Sequence, residues 1–130
     1  MKFLLINFSL LIFLTQSHVQ AETSIKLEQL TLPAGFSINF FAEGVTNARQ
    51  MALSDSGIIY VGTRKAGNVY ALKDDNNDGK ADRRWLVAQG LTLPSGLAWK
   101  DGNLYVAEVE RILLFPNIDE NLESPKLETF

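Results

Sequence analysis

The residues best suited to chemistry lie in one polar run, Asp74-Asp75-Asn76-Asn77-Asp78-Gly79-Lys80-Ala81-Asp82, set between two alternating apolar stretches. Oxygen-bearing side chains stand at its first, third, fifth and ninth positions, with Gly79 at the sixth. Hard cations such as Ca2+ gather about six to eight oxygen ligands, and a loop can offer them from alternate residues. Asp74, Asn76, Asp78 and Asp82 would supply side-chain oxygens, and Lys80 a backbone carbonyl. Gly79 would let the backbone turn back around the ion. Carboxylates this close repel one another unless a cation neutralises them.

The run is not a complete EF-hand. Its twelfth position is Trp85, where a bidentate Glu is required, and the flanks Val69–Lys73 and Arg84–Gln89 read as extended rather than helical. Asp, Asn and Gly also build turns without any metal. A Ca2+ loop and a plain polar turn both fit the composition.

The elements that would position this run belong to a small chain of 130 residues, enough for one domain. A net charge of -3 argues against a nucleic-acid footprint. With no cysteine there is no disulfide, thiolate metal site or cysteine nucleophile. The first 21 residues read as a secretory signal: Lys2 opens it, Phe3–Leu14 is largely apolar but too short to span a bilayer comfortably, and Val19-Gln20-Ala21 fits the small-residue cleavage rule. No second apolar span follows, so the expected location is periplasmic or secreted. The lone histidine, His18, falls in the segment to be removed, which leaves no His-based triad.

Residues 22–35 form a polar lead-in that ends in the turn signal Leu32-Pro33-Ala34-Gly35. Phe36–Ala42 reads as a strand, with Phe36, Ile38 and Phe40 on one face. An internal repeat follows. Met51-Ala-Leu-Ser-Asp-Ser-Gly-Ile-Ile-Tyr60-Val61 matches Leu97-Ala-Trp-Lys-Asp-Gly-Asn-Leu-Tyr105-Val106 with one residue deleted in the turn, so Tyr60 and Tyr105 stand 45 positions apart. Each copy then runs through a polar turn into another apolar strand, Val69–Leu72 or Ile112–Phe115. Arg84–Gln89 and Leu127–Phe130 supply the fourth strands. Asp55 and Asp101 repeat with this period and read as hairpin-turn residues, not a catalytic carboxylate pair. Trp85, Trp99 and Met51 lie in apolar alternation and read as packing residues.

Four short strands recurring at this period are the signature of β-propeller blades, and the expected fold is all-β. Blade one would cover 48–90 and blade two 94–130; a two-sheet sandwich is the other architecture compatible with the pattern. The part following residue 21 holds roughly 2.4 repeats, whereas propellers close with about four to eight blades. The expectation is therefore a partial β-propeller over 36–130, the N-terminal piece of a longer protein, with Phe36–Ala42 completing the last blade of the ring.

At this point the chain resembles the sorbosone/glucose dehydrogenase family of soluble quinoproteins. The matching words are Leu32-Pro-Ala-Gly-Phe-Ser-Ile, Phe41-Ala-Glu-Gly, Asn47-Ala-Arg-Gln-Met-Ala-Leu, Val61-Gly-Thr-Arg-Lys-Ala-Gly-Asn-Val-Tyr-Ala-Leu, Asp78-Gly-Lys-Ala-Asp, Leu93-Pro-Ser-Gly-Leu-Ala and Leu104-Tyr-Val-Ala-Glu-Val-Glu-Arg-Ile. Each is weak alone; their order and spacing carry the resemblance, and the sorbosone dehydrogenase-like branch is the nearest. What it implies is a six-bladed propeller, of which about two blades are present, binding pyrroloquinoline quinone with Ca2+ over a central channel. Such enzymes oxidise sugars or related aldehydes by hydride transfer to the quinone; a histidine acts as general base and basic side chains hold the cofactor carboxylates. The natural electron acceptor is not specified by the resemblance. The chain lacks a candidate for that histidine, which the family carries in a later blade, so the fragment itself is expected to be inactive. Pro94 stands about where soluble glucose dehydrogenases carry a glutamine.

In a propeller the ligand face is built by the loops entering first strands and leaving second strands. Those loops hold Arg49 and Gln50, Thr63 and Arg64, Pro94 and Ser95, and Glu108 and Arg111. Arg49, Gln50, Arg64, Glu108 and Arg111 are the candidate cofactor-binding residues: the arginines for carboxylates, and Glu108 to orient a hydroxyl or an arginine. Two other functions are compatible with the same frame, a non-enzymatic ligand- or protein-binding propeller and a lactonase-type hydrolase with a central divalent ion.

Overall fold

The computed structural model describes residues 26–129, so the expected signal segment and the first residues of the lead-in lie outside the described residues. Phe130, the expected end of the last strand, lies outside them too. The chain divides into two units, Met1–Ala34 and Gly35–Phe130. The described part of the first holds one 3-10 turn, Leu27–Gln29. Among the described residues no helix is long and apolar enough to cross a membrane.

The second unit is all-β. Strands β1 (Ala48–Leu53), β2 (Ile59–Thr63), β3 (Val69–Lys73) and β4 (Arg83–Ala88) form one antiparallel sheet in chain order. Strands β5 (Gly96–Lys100), β6 (Asn103–Ala107), β7 (Ile112–Phe115) and β8 (Glu128–Thr129) form a second sheet with the same order. Turn chemistry sets the hairpins. Between β5 and β6 the Lys100–Asn103 pair is closed by Asp101 at φ +51° and Gly102 at φ +82°, the two positive values that a tight hairpin turn requires. The β1–β2 connection is longer, and Ser54 closes it: its N–H donates to Ile58 O at 2.9 Å, and its Oγ accepts from Ile58 N–H at 3.1 Å.

The two copies of the repeat pair strand for strand. Met51 opposes Val61 and Leu53 opposes Ile59 in the first sheet; Leu97 opposes Val106 and Trp99 opposes Leu104 in the second. The correspondence extends outward, since Val61–Tyr70 and Ile59–Leu72 answer to Val106–Leu113 and Leu104–Phe115. Because directly opposed residues share a sheet face, each sheet has one face carrying the Met51/Leu97 set and one carrying the Tyr60/Tyr105 set.

The core lies where unlike faces meet. Tyr60, Val69, Ala71 and Val87 of the first sheet pack against Leu97, Leu104, Val106, Leu113 and Phe115 of the second, together with Ile118. Trp85 and Trp99 border this core, as their apolar alternation predicts. The sheets approach most closely where β5 meets β1 and β2. Gly62 makes that approach possible: a Cβ there would stand 2.2 Å from Leu97 Cδ1 and 2.2 Å from Pro94 O.

Two expectations need correction. Phe36–Ala42 forms no strand and pairs with none among the described residues. It is held instead by single bonds at the polar run, Ala81 N–H to Phe41 O at 2.7 Å and Asn39 Nδ2 to Gly79 O at 3.2 Å. Its alternation describes a face, but a strand forms only alongside an aligned sheet edge, and among the described residues neither sheet extends to it. Phe36 accordingly stays 72% exposed. Met51, expected in the core, is 67% exposed, as is its neighbour Leu53 at 66%: on this face of the first sheet the cover reaches Val61 and Leu72, both 3% exposed, but not β1.

Candidate functional site

The ends of β1, β5 and β6 enclose a cavity of about 540 Å³, lined by Arg49, Gln50, Leu93, Ser95, Ala107 and Glu108 among others. Three of the five expected cofactor-binding residues thus meet at one place. Arg49 is aimed there by a bulge: Ala48 pairs with Thr63 and Gln50 with Gly62, leaving Arg49 as the extra residue. Bulges of this kind re-aim a side chain at the end of a ladder. Arg49 makes no ion pair among the described residues.

Glu108 is built in rather than free. Its side chain is only 2% exposed and binds Arg111 Nε through Oε2 at 2.5 Å, while Oε1 accepts the Thr92 N–H. Glu108 N–H also donates to Arg111 O at 2.9 Å, closing the turn between β6 and β7. Arg111 is therefore committed to Glu108 and does not line this cavity. Arg64 begins the loop after β2, exposed and likewise outside the cavity lining. Thr63 is fully buried, its Oγ1 donating to Asn68 O and accepting from Asn68 N–H, both at 2.8 Å. Pro94 is buried and presents no side chain to the cavity, while Ser95 does. Leu93, on the rim, holds φ +53° ahead of that proline, a conformation that costs a non-glycine residue about 1–3 kcal/mol and clusters at binding sites.

In the polar run the backbone satisfies the carboxylates. Asp74 Oδ2 accepts the Gly79 N–H at 2.8 Å, and its Oδ1 accepts from Asn76 and Asp78 at 3.2 and 3.3 Å. Burial alone would raise the Asp74 pKa, but the N–H groups of Gly79, Asn77, Asp78 and Asn76 outweigh it and hold the carboxyl below its usual range. Asp78 Oδ1 accepts the Lys80 N–H at 2.9 Å, and Asp82 Oδ2 the Asp75 N–H at 2.8 Å. Asn76 Nδ2 stands 3.3 Å from Asp78 Oδ2 and 3.5 Å from Asp82 Oδ1. Asp75 turns away to a two-bond pair with Arg83 at 2.6 and 2.7 Å. Among the described residues no three carboxylates or imidazoles converge to hold a metal ion. Asp74, Asn76, Asp78 and Asp82 are thus gathered on one loop but shared with N–H donors. A cation would have to displace the Asn76 amide from between Asp78 and Asp82.

One polar cluster carried no local sequence signal. Asp119, on the 3-10 turn Ile118–Glu120 after β7, accepts from Tyr60 Oη at 2.6 Å, Ser56 Oγ at 2.6 Å and Trp99 Nε1 at 3.1 Å. Its partners lie 59, 63 and 20 positions away, so only the packed sheets reveal it. No protein-family model matches the chain, and no curated protein matches it significantly.

Proposed function

We propose that the two sheets are blades of a β-propeller belonging to an exported quinone-dependent sugar or aldehyde dehydrogenase, in which this chain supplies part of the cofactor-holding face. The observation that supports this reading most directly is the meeting of Arg49, Gln50 and Glu108 on one cavity at the ends of β1, β5 and β6. The repeated up-and-down sheets and their packing of unlike faces suit the same architecture.

Pyrroloquinoline quinone carries several carboxylates, and the residues present fit it in part. Arg49 and Gln50 would hold one carboxylate and an adjacent polar atom, since a free guanidinium offers a two-bond fork. Glu108 would orient Arg111 and exclude water from the loop rather than touch the cofactor. Arg64 and Arg111, both expected at the cofactor, contribute nothing to this cavity. When bound, the quinone accepts the hydride; this chain's own residues bind and orient. The general base must come from outside the described residues, which contain no histidine. Ca2+ would be held by Asp74, Asn76, Asp78 and Asp82 with the Lys80 carbonyl, once the Asn76 amide turned away from Asp78 and Asp82.

The reading is tested by titrating the chain with the quinone and following tryptophan fluorescence. Binding that weakens at least tenfold in Arg49→Ala supports it. Indistinguishable curves for the two proteins, or no binding by either, overturn the assignment of this cavity. With quinone, Ca2+ and an aldose present, no dye reduction is expected from the chain alone.

A further inference from the structure

Among the described residues, segment 36–43 is tied to the first sheet by three hydrogen bonds, two of them to the polar run. Asn39 Nδ2 donates to Gly79 O at 3.2 Å, Ala81 N–H donates to Phe41 O at 2.7 Å, and Arg84 Nη1 donates to Glu43 O at 2.8 Å. Apolar burial adds little, since Phe36, Ile38 and Phe40 are 72%, 43% and 43% exposed. The bonds at Asn39 and Glu43 are themselves exposed. A segment held by a few solvent-exposed bonds opens at low cost.

The peptide units on either side of Lys80 set the two bonds to the run. No peptide bond among the described residues is cis, and in a trans unit the carbonyl and the N–H point opposite ways. In the Gly79–Lys80 unit the N–H turns inward to Asp78 Oδ1 at 2.9 Å, which aims Gly79 O outward at Asn39. In the Lys80–Ala81 unit the order is reversed. There the Ala81 N–H turns outward to Phe41 O, which aims the Lys80 carbonyl back toward the Asp78 side. The groups that would hold a cation and the groups that hold the segment thus sit at opposite ends of the same two peptide units. Asp78 can serve both, because Oδ1 orients Lys80 while Oδ2 meets only the Asn76 amide.

We propose that the polar run is a latch for segment 36–43, and that Ca2+ in the run tightens it. A cation drawing on Lys80 O polarises that peptide and strengthens its N–H toward Phe41 O. Ligation by Asp78 Oδ2 holds the carboxylate still, and with it the Gly79 carbonyl that receives Asn39. Latched, the segment keeps Phe36, Ile38 and Phe40 at one place beside the first sheet; released, it carries them away. The coupling is reciprocal, so a docked segment also raises the affinity of the run for Ca2+. The tightening rests on the assignment of Ca2+ to this run, whereas the latch rests on the hydrogen bonds alone.

Limited chymotrypsin digestion of the full chain tests both parts. Cleavage after Phe40 and Phe41 is read by mass spectrometry and scaled to a free peptide of residues 34–44; it follows the population of the open segment. Asp78→Ala leaves the cleaved sequence untouched and, without Ca2+, should speed cleavage about three- to tenfold. Asp78→Asn keeps an acceptor for the Lys80 N–H and should stay close to the wild type. Millimolar Ca2+ should slow cleavage of the wild type about fivefold or more and leave both variants unmoved. Circular dichroism should show the variants folded. Should Asp78→Ala unfold, hydrogen exchange at the Ala81 amide of the wild type and of Asn39→Ala reads the same latch, with faster exchange expected in the variant. Wild-type cleavage in a folded Asp78→Ala, or unchanged exchange in Asn39→Ala, would overturn the latch. Heat on Ca2+ titration without slower cleavage would overturn the tightening and leave the Ca2+ assignment standing; no heat at all would overturn both.

Discussion

Tyr60 and Asp119 are joined by a hydrogen bond of 2.6 Å that ties β2 of the first sheet to the turn following β7 of the second. Tyr60 is fully buried, so its hydroxyl has no water to turn to. Burial, and then the Asp119 carboxylate, push the Tyr60 pKa far up and keep the phenol a donor. Trp99 and Ser56 complete the carboxylate's shell from the second sheet and the β1–β2 turn.

Replacing Asp119 should therefore loosen the contact between the sheets. Asp119→Ala leaves a buried phenol and an indole N–H without their acceptor, and each unsatisfied buried donor costs about 1–3 kcal/mol. Tyr60→Phe removes donor and bond together and should cost about 1 kcal/mol. Urea unfolding checks the order: Asp119→Ala below Tyr60→Phe below wild type. A Tyr60→Phe midpoint at or below that of Asp119→Ala would contradict it.

The same carboxylate predicts an acid limb of stability. Burial would raise its pKa, but donation from Ser56, Tyr60, Ser54 and Trp99 prevails and lowers it. A carboxyl whose folded pKa lies below its unfolded value, about 3.9, stabilises the fold above that unfolded value. The contribution fades as pH falls toward the folded pKa. Asp74 and Asp75 are lowered as well, so the comparison needs Asp119→Asn, which removes this one titration. Wild type should lose more stability than Asp119→Asn between about pH 5 and pH 2, and the two urea midpoints should converge. Parallel pH profiles would exclude the effect.

The polar run predicts a response to Ca2+ that composition and geometry divide over. Any ion that binds only the folded state raises stability by RT ln(1 + [L]/Kd), about 2.7 kcal/mol at a hundredfold excess over Kd. Millimolar Ca2+ should raise the thermal midpoint of the wild type and leave Asp78→Ala unmoved. An unchanged wild-type midpoint with no heat on titration would assign the loop to its own backbone bonds.

What the sequence revealed and what it hid divide along a physical line. Tyr60 and Tyr105, with their Val neighbours and their hairpin turns, announced two similar sheets, because alternation and turn residues are local signals. Arg49, Gln50 and Glu108 were legible once strand ends were known, since the repeat places those ends side by side. Met51 was misread because burial depends on what packs against a face, and alternation reports only that a face exists. Asp119 was hidden for the same reason, its partners being distant in sequence. Phe36–Ala42 shows that an alternating segment still needs an edge to pair with.

Gly62 tests the close approach of the sheets. Its backbone is not among those held at positive φ, so its requirement is space alone. Gly62→Ala must push against Leu97 and the Pro94 carbonyl, and overpacking of this kind costs about 1–3 kcal/mol. Gly62→Ala should cost less in a Leu97→Ala background than in the wild type, because the Leu97 contact is then gone and only the backbone contact remains. Urea midpoints of the single and double variants decide it; a Gly62→Ala midpoint equal to the wild type would mean the sheets yield at this point.

Glu108 and Arg111 test whether the cavity wall is held by charge or by shape. The carboxylate is nearly inaccessible while Arg111 is half exposed, so removing the arginine leaves a buried charge held by the Thr92 N–H. Hydrogen bonds to charged groups contribute about 1.5–3 kcal/mol, with the higher figure where one partner is left buried. Arg111→Ala should therefore destabilise the protein clearly in the Glu108 background and much less in Glu108→Gln, which keeps the acceptor for Thr92 but carries no charge. A double-mutant cycle reads that difference directly, with an expected coupling of about 1–2 kcal/mol. Equal losses in both backgrounds would show that Arg111 supports the β6–β7 turn by packing, and that Glu108 needs no counter-charge to wall the cavity.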